Sequence, residues 1–424
     1  MESRKLAALL SSLISQLLLL ILLLFPSFSS APSSSSDSNP PFNAFPLVQY
    51  FILSQEIAAS LSFSKNRKRK RVDPESDPID EHPPGGIGIG DVVRSPDSFR
   101  SCFRMTASTF EWLSGLLDPL LECRDPVELF PLNLSSGVRL GIGLFRLANG
   151  SDYAEISSRF GVSVSVARFC VKQLCRVLCT NFRFWIAFPN SHEIETVSRG
   201  FEDISGLPNC CGVIDCARFN VVSSETSCED KIAAQIVVDS SSRILSIIAG
   251  FRGHKSNSRI IRSSTFYRDI EEGKLLNSPA IDIDGVAINQ YLIGDSSFPF
   301  LPWLMIPFAE SLPGSYEENF NSAHKLMRIS ALRTIDSLKN WGILSRPIKE
   351  ELKMAVAYIG ACSILHNSLL MREDFSALSG GQDYQFQNLS IKDSRSEENS
   401  NTMNAWIVRS ALATRAKKSN GSST

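Results

Sequence analysis

From about residue 97, apolar residues recur at helical spacing. In "FRSCFRMTASTFEWLSGLLDPLL", Phe103, Met105, Phe110, Leu113, Leu116 and Leu117 mark one face, with Thr106 or Ser108 as N-cap. "SSGVRLGIGLFRLANG" predicts a second helix, closed by Asn149-Gly150. In "SDYAEISSRFGVSVSVARFCVKQLCRVL", Ser151 or Asp152 caps a helix with Ile156 and Phe160 on its apolar face. Gly161-Val162-Ser163 makes a tight turn, and a further helix runs from about Val164 to Leu178. That is the grammar of a helix-turn-helix.

From residue 207 the pattern changes to strands. "CCGVID" (210–215) is a short apolar run ending in Asp215. "KIAAQIVVD" (231–239) and "RILSIIAGF" (243–251) flank Ser240-Ser241-Ser242 and predict two strands joined by a turn. "SRIIRSSTFYRDIEEGKLL" reads as helical, and Asp282 and Asp284 read as hairpin residues beside Gly285. "YLIGDSSFPF" then drives a buried strand into Asp295. A long amphipathic helix follows over 320–340, with Phe320, Leu326, Ile329, Leu332, Ile335 and Leu338 as its apolar stripe. A last helix follows Pro347, the stretch 374–403 is polar, and "NAWIVRSALATRA" predicts a short terminal helix. The fold class expected is α+β or α/β, with a helical N-terminal domain (97–200), a sheet domain (207–372) and a mostly disordered tail (374–424).

The first 92 residues carry conflicting addresses. Residues 1–31 combine a basic start, an apolar core at Leu17 to Phe25 and small residues near Ala31, which is signal-peptide grammar. Residues 32–92 read as a disordered linker. Within it Lys65, Arg67, Lys68, Arg69, Lys70 and Arg71 form a nuclear localisation pattern, with a solvated charge run as the plain alternative. Ten cysteines show neither a zinc spacing nor a disulfide framework. Free, mostly buried thiols are the expectation, so the nuclear address ranks above the secretory or membrane-anchored one.

The net charge of −1 offers no global field for a polyanion. Direct DNA binding must therefore be local. Arg168, Lys172 and Arg176 recur every four residues on the second helix of the pair and form a candidate phosphate stripe. Its first turn, Val164-Ser165-Val166, holds no basic or amide side chain to read bases.

Asp215 and Asp295 carry the candidate chemistry. If the strand before Asp295 lies beside the strand before Asp215, both carboxylates meet at one sheet edge. Two divalent ions about 4 Å apart need such oxygen ligands to activate water or a hydroxyl against phosphate. A turn aspartate is the plain alternative for Asp295.

Across roughly 97–372 the chain resembles the PIF/Harbinger family of transposases. The resemblance rests on "FRMTASTFEWL", "LANGSDYAEISSRFGVSVSV", "GVIDCARF", "YLIGDSSFPFLPWLMIPF", "FNSAHKLMRISALRTIDSLKNWGIL" and "ILHN". It implies an RNase H-like DDE nuclease domain, a mixed sheet flanked by helices, behind a helix-turn-helix. Asp215 and Asp295 match two of the family's four acids.

Two others are lost. Aligning Phe320-Asn321, His324, Arg328, Arg333 and Leu338-Lys339 puts Leu332 at the family's glutamate. The family's His-Asp-Ser-Arg segment aligns with "SNSR", which puts Asn257 at the aspartate and Ser256 at the histidine. Cys216-Ala217 replaces Gly-Thr. Leu332 cannot ligate a metal, and Glu317, Glu318 or Asp336 would have to compensate.

The resemblance is to a domesticated member, of the kind grouped with antagonist-of-like-heterochromatin proteins. It implies a nuclear interaction factor without nuclease activity and without a cofactor. The partners it implies are a Myb/SANT-like DNA-binding protein or a Polycomb-type chromatin complex. The alternative is an active nuclease dependent on Mg²⁺ or Mn²⁺.

Overall fold

The computed structural model describes residues 96–122, Leu129, 134–222, 229–378 and 400–421. The signal-like segment, the basic run Lys65 to Arg71 and most of the polar stretch after 378 lie outside these residues.

Helices come first. They are α1 (Pro96–Phe103), α2 (Ala107–Leu121), α3 (Ser136–Asn149), α4 (Tyr153–Phe160), α5 (Val164–Thr180), the single turn α6 (Phe182–Trp185) and α7 (Glu193–Ser205). Local chemistry sets their ends. Thr106, Ser135, Asp152 and Ser163 each accept a backbone N–H of the first turn with the side-chain oxygen. Gly150 and Gly161 close α3 and α4 in the left-handed conformation, at φ 65° and 62°.

The sheet follows. β1 (Cys210–Val222), β2 (Glu229–Val238) and β3 (Ile244–Arg252) form an antiparallel meander. The stretch expected as one helix is two short ones, α8 (Asn257–Arg262) and α9 (Thr265–Glu271). Ser263 ends the first and Ser264 caps the second by accepting from Tyr267 N–H, so the chain turns where a continuous helix was expected.

The hairpin β4 (Ile281–Ile283) and β5 (Val286–Ile288) turns through Asp284-Gly285, as expected. β6 (Tyr291–Ile293) pairs parallel to β1, and β7 (Leu304–Met305), unforeseen in the sequence, pairs parallel to β6. The order is β3-β2-β1-β6-β7.

Four helices complete the described chain: α10 (Tyr316–Lys339), α11 (Gly342–Ser345), α12 (Leu352–Met371) and α13 (Ser400–Gly421). The terminal helix is longer than "NAWIVRSALATRA". It stacks the Arg409 guanidinium 4.1 Å from Phe300 and 4.0 Å from Phe308.

Strand alternation divides the burial. Ile232, Ala234, Ile236 and Val238 of β2 face α10, α12 and the N-terminal helices. Ala233 and Val237 face the opposite layer, built on Ile260, Ile261, Phe266 and Ile270 of α8 and α9. The helices of 96–186 share the first core with the sheet. Leu326, expected in the α10 stripe, is half exposed, and Ala323, Met327 and Ala331 fill that stripe instead.

α12 is long and apolar enough to span a membrane by length and composition, but most of it is buried in this core. Its "ILHN" end has a structural role. Asn367 accepts from Ile244 N–H at 2.9 Å and donates to the Ile244 and Trp185 carbonyls. His366 donates to the Ser242 carbonyl at 2.8 Å, beside Thr334.

Candidate functional site

The sheet brings Asp215 and Asp295 together. Val213 of β1 registers with Ile293 of β6, and each aspartate lies two residues beyond its partner. Period-two alternation points both carboxylates toward α10. Asp215 does not end its strand, as the sequence suggested. β1 runs on to Val222, paired with β2 throughout, so only the contact with β6 ends before Asp215.

From α10 the guanidinium of Arg328 reaches both acids. Its Nη2 lies 3.3 Å from Asp215 Oδ2 and 3.6 Å from Asp295 Oδ2. All three side chains are largely buried, at 16% exposure for Arg328, 10% for Asp215 and 19% for Asp295. Burial, then the charge of Asp295, push the Asp215 carboxyl above its ordinary range, and Arg328 opposes them.

Each remaining oxygen has a donor. Asp215 Oδ1 accepts from Cys216 N–H at 2.7 Å. Asp295 Oδ1 accepts from Ser297 N–H at 2.9 Å and from the Ser297 hydroxyl. Asn257 donates its amide to Ser297 Oγ at 2.7 Å and accepts from Arg218 Nη2 at 2.7 Å. Arg218 also donates to the Gly253 and Lys255 carbonyls, both at 3.0 Å. The amide of Asn257 thus uses both of its ends. An aspartate there would have no hydrogen to give Ser297 and would add a third buried negative charge.

One turn before Arg328 on α10, His324 donates to the Gly294 carbonyl at 3.0 Å and fixes the turn into Asp295. Burial, then the charge of Arg328, lower its pKa to about 3, so it is neutral.

Leu332, one turn after Arg328, brings no ligand. Glu317 sits half-buried in the first turn of α10, and Glu318 accepts from Gly314 N–H. Among the described residues no group of three His, Cys, Asp or Glu is placed to hold a metal ion, so none of the compensating acids joins the pair. The residues present do not fit a two-metal centre.

Arg168, Lys172 and Arg176 stand together on the exposed side of α5, and the Arg168 guanidinium lies 4.5 Å above the Tyr153 ring. Part of that stripe is packing. The thiols at Cys102, Cys170, Cys175, Cys179, Cys210, Cys211, Cys216 and Cys362 are free, and all but Cys179 are buried. Burial pushes Cys210 and Cys216 up to about 12, which makes them poor nucleophiles.

The sequence readings missed Arg328, Arg218 and Ser297. Arg328 served only as an alignment position. Its spacing of four from both His324 and Leu332 puts it on the same helix face, a signal that was present.

Residues 222–367 match the model of the DDE superfamily endonuclease family. The match covers Asn257, Asp295, Arg328 and Leu332 and begins seven residues after Asp215. The chain is 28% identical over 335 residues to the Arabidopsis thaliana protein named Antagonist of like heterochromatin protein 1, covering 74% of this chain and 85% of that protein. A second Arabidopsis protein, ALP1-like, is 27% identical over 298 residues, 66% of this chain and 72% of its own length. Human HARBI1, which carries a nuclease name, is 22% identical over 239 residues, 52% of this chain and 63% of that protein. No solved structure matches the chain.

Proposed function

We propose that this chain, whose residues 222–367 match the DDE superfamily endonuclease family, keeps that fold as a binding scaffold without metal-dependent nuclease chemistry. One observation carries the reading. The only cation reaching Asp215 and Asp295 among the described residues is the guanidinium of Arg328, while Asn257 and Leu332 stand at the other two acid positions. Two divalent cations bring four positive charges, and two carboxylates already shared with an arginine cannot balance them. The strand order β3-β2-β1-β6-β7 supports an RNase H-like ancestry.

In this reading the protein works in the nucleus as a member of a chromatin complex. The name of the Arabidopsis relative supports the chromatin assignment, and the basic run Lys65 to Arg71 supports the address. A Myb/SANT-like DNA-binding protein or a Polycomb-type assembly is the partner class. DNA contact falls to the α4–α5 pair, read as a helix-turn-helix that meets phosphates through Arg168, Lys172 and Arg176.

The test is incubation of the full chain with DNA and Mg²⁺ or Mn²⁺, beside calorimetry of metal alone. No cleavage and no metal binding are expected. The second reading, an active nuclease, draws on the matched placement of Asp215 and Asp295. Metal-dependent cleavage abolished by Asp295→Ala would establish it. Imaging of a tagged chain tests the address, and exclusion from the nucleus would favour the secretory alternative.

A further inference from the structure

Among the described residues β3 pairs only with β2 and forms one edge of the sheet. Its first residue is secured, because Asn367 bonds both Ile244 backbone groups. Beyond that point Ser246, Ile247, Ile248 and Ala249 are only half-buried and Gly250 is exposed. Register shifts at Leu245 and Gly250 leave Ser246–Ala249 as the regular part of this edge. An open apolar edge is a template for another strand, and proteins ordinarily blunt it with charge, proline, bulges or a covering element.

Beside this edge lies a cavity of about 310 Å³, lined by Ile247 and Ala249 of β3, Phe182 of α6, and Val356 and Gly360 of α12. The one charged lining residue is Lys353. A strand laid along β3 directs alternate side chains to the α12 face, where this cavity takes an apolar one.

Charge selects among occupants. No acidic residue occurs between Asp239 and Asp269, while Arg252, Lys255, Arg259 and Arg262 do. Arg252 ends β3 and is exposed, as is His254 just beyond it. Arg218 fixes the adjoining loop by its bonds to the Gly253 and Lys255 carbonyls. The other strand end is balanced, because Arg243 pairs with Asp239 at 3.0 Å. A second copy paired antiparallel about Ile248 would set Arg252 of each chain opposite Ile244 of the other, one residue from Arg243. Like charges brought that close disfavour the pairing.

We infer that β3 is a docking edge for an extended peptide of a partner protein, apolar at alternate positions and acidic at the end beside Arg252. The peptide adds a strand to the sheet by main-chain hydrogen bonds, and the cavity beside Ile247 and Ala249 supplies specificity. This goes beyond the proposed function, since it needs only the sheet edge and holds whether or not the domain cleaves DNA.

Fluorescence anisotropy on the full chain tests it. The probe is a labelled nine-residue peptide, the length of β3, with valine at alternate positions and Asp-Glu at one end. Saturable binding is expected, weakened about fivefold or more by Arg252→Glu or Lys353→Glu. It should be lost when alternate peptide amides are N-methylated, and weaker for a peptide ending in Lys-Lys. Thermal unfolding of both variants checks that they remain folded. No binding, equal binding of acidic and basic peptides, or indifference to N-methylation overturns the inference. A dimer in ultracentrifugation that excludes the peptide also overturns it, in favour of self-pairing.

Discussion

Arg328 of α10 donates to Asp215 of β1 at 3.3 Å and stands 3.6 Å from Asp295. These residues lie far apart in the chain, and the pairing ties the helix to both strands. Removing the guanidinium leaves two buried carboxylates facing each other. Arg328→Met is expected to cost about 2–4 kcal/mol. Adding Asp215→Asn and Asp295→Asn should recover most of that loss. Urea unfolding reads both, and an unchanged midpoint in Arg328→Met would show that the contact contributes nothing.

Backbone meets backbone at Gly150 and Gly342. A methyl on Gly150 would lie 2.5 Å from the Gly342 carbonyl oxygen, and one on Gly342 would overlap the Asn149 backbone. Neither neighbour is a flexible side chain. Gly342→Ala is expected to destabilise by about 2–4 kcal/mol. Gly115 on α2 has open space around it, and Gly115→Ala should stabilise by up to about 1 kcal/mol. Thermal melts of the two variants should therefore move in opposite directions.

The Asn367 amide gives two hydrogens and takes one at the start of β3. An aspartate keeps the shape and removes both hydrogens, leaving two carbonyls facing a charge. Asn367→Asp is expected to lose about 2–4 kcal/mol. Amide exchange at Ile244 should accelerate more than exchange in β1. Equal acceleration everywhere would mean that the effect is global rather than local to this edge.

His366 and His324 set a pH dependence. In the unfolded chain a histidine protonates near 6.5. Burial lowers His366 to about 4, and burial with Arg328 lowers His324 to about 3. Between 6.5 and those values the unfolded state holds more protons, so stability falls as pH drops. The slope is about 1.4 kcal/mol per pH unit for each histidine. Asp215 opposes the trend, because its raised carboxyl protonates first in the folded state. Comparing His366→Gln with the parent cancels that background. The variant should lose less stability from pH 7 to pH 5, and equal losses would mean that His366 is not titrating in this way.

Much of this arrangement was legible in the sequence because it is local. Caps at Thr106, Asp152 and Ser163, the Gly161 turn and the Asp284-Gly285 hairpin depend on neighbours within four residues. The meeting of Asp215 with Asp295 followed from a single topological assumption, that β6 lies beside β1. What escaped is long-range. β1 continues past Asp215 because β2 pairs with it to Val222, and no apolar alternation announced that. Arg328 served only as an alignment position, since nothing within a turn or two of α10 shows that two strand ends lie beneath it. Leu326 was placed inward by apolar character alone, and packing chose the small Ala323 and Ala331 instead.

The charge that balances Asp215 and Asp295 is built into the polypeptide. A metalloenzyme's stability rises and falls with the free concentration of its ion, by mass action. Here one guanidinium is synthesised in the same chain as the two acids it serves. Under the proposed function the fold does not depend on the ionic supply of its compartment, and a chelator should leave its melting temperature where it was.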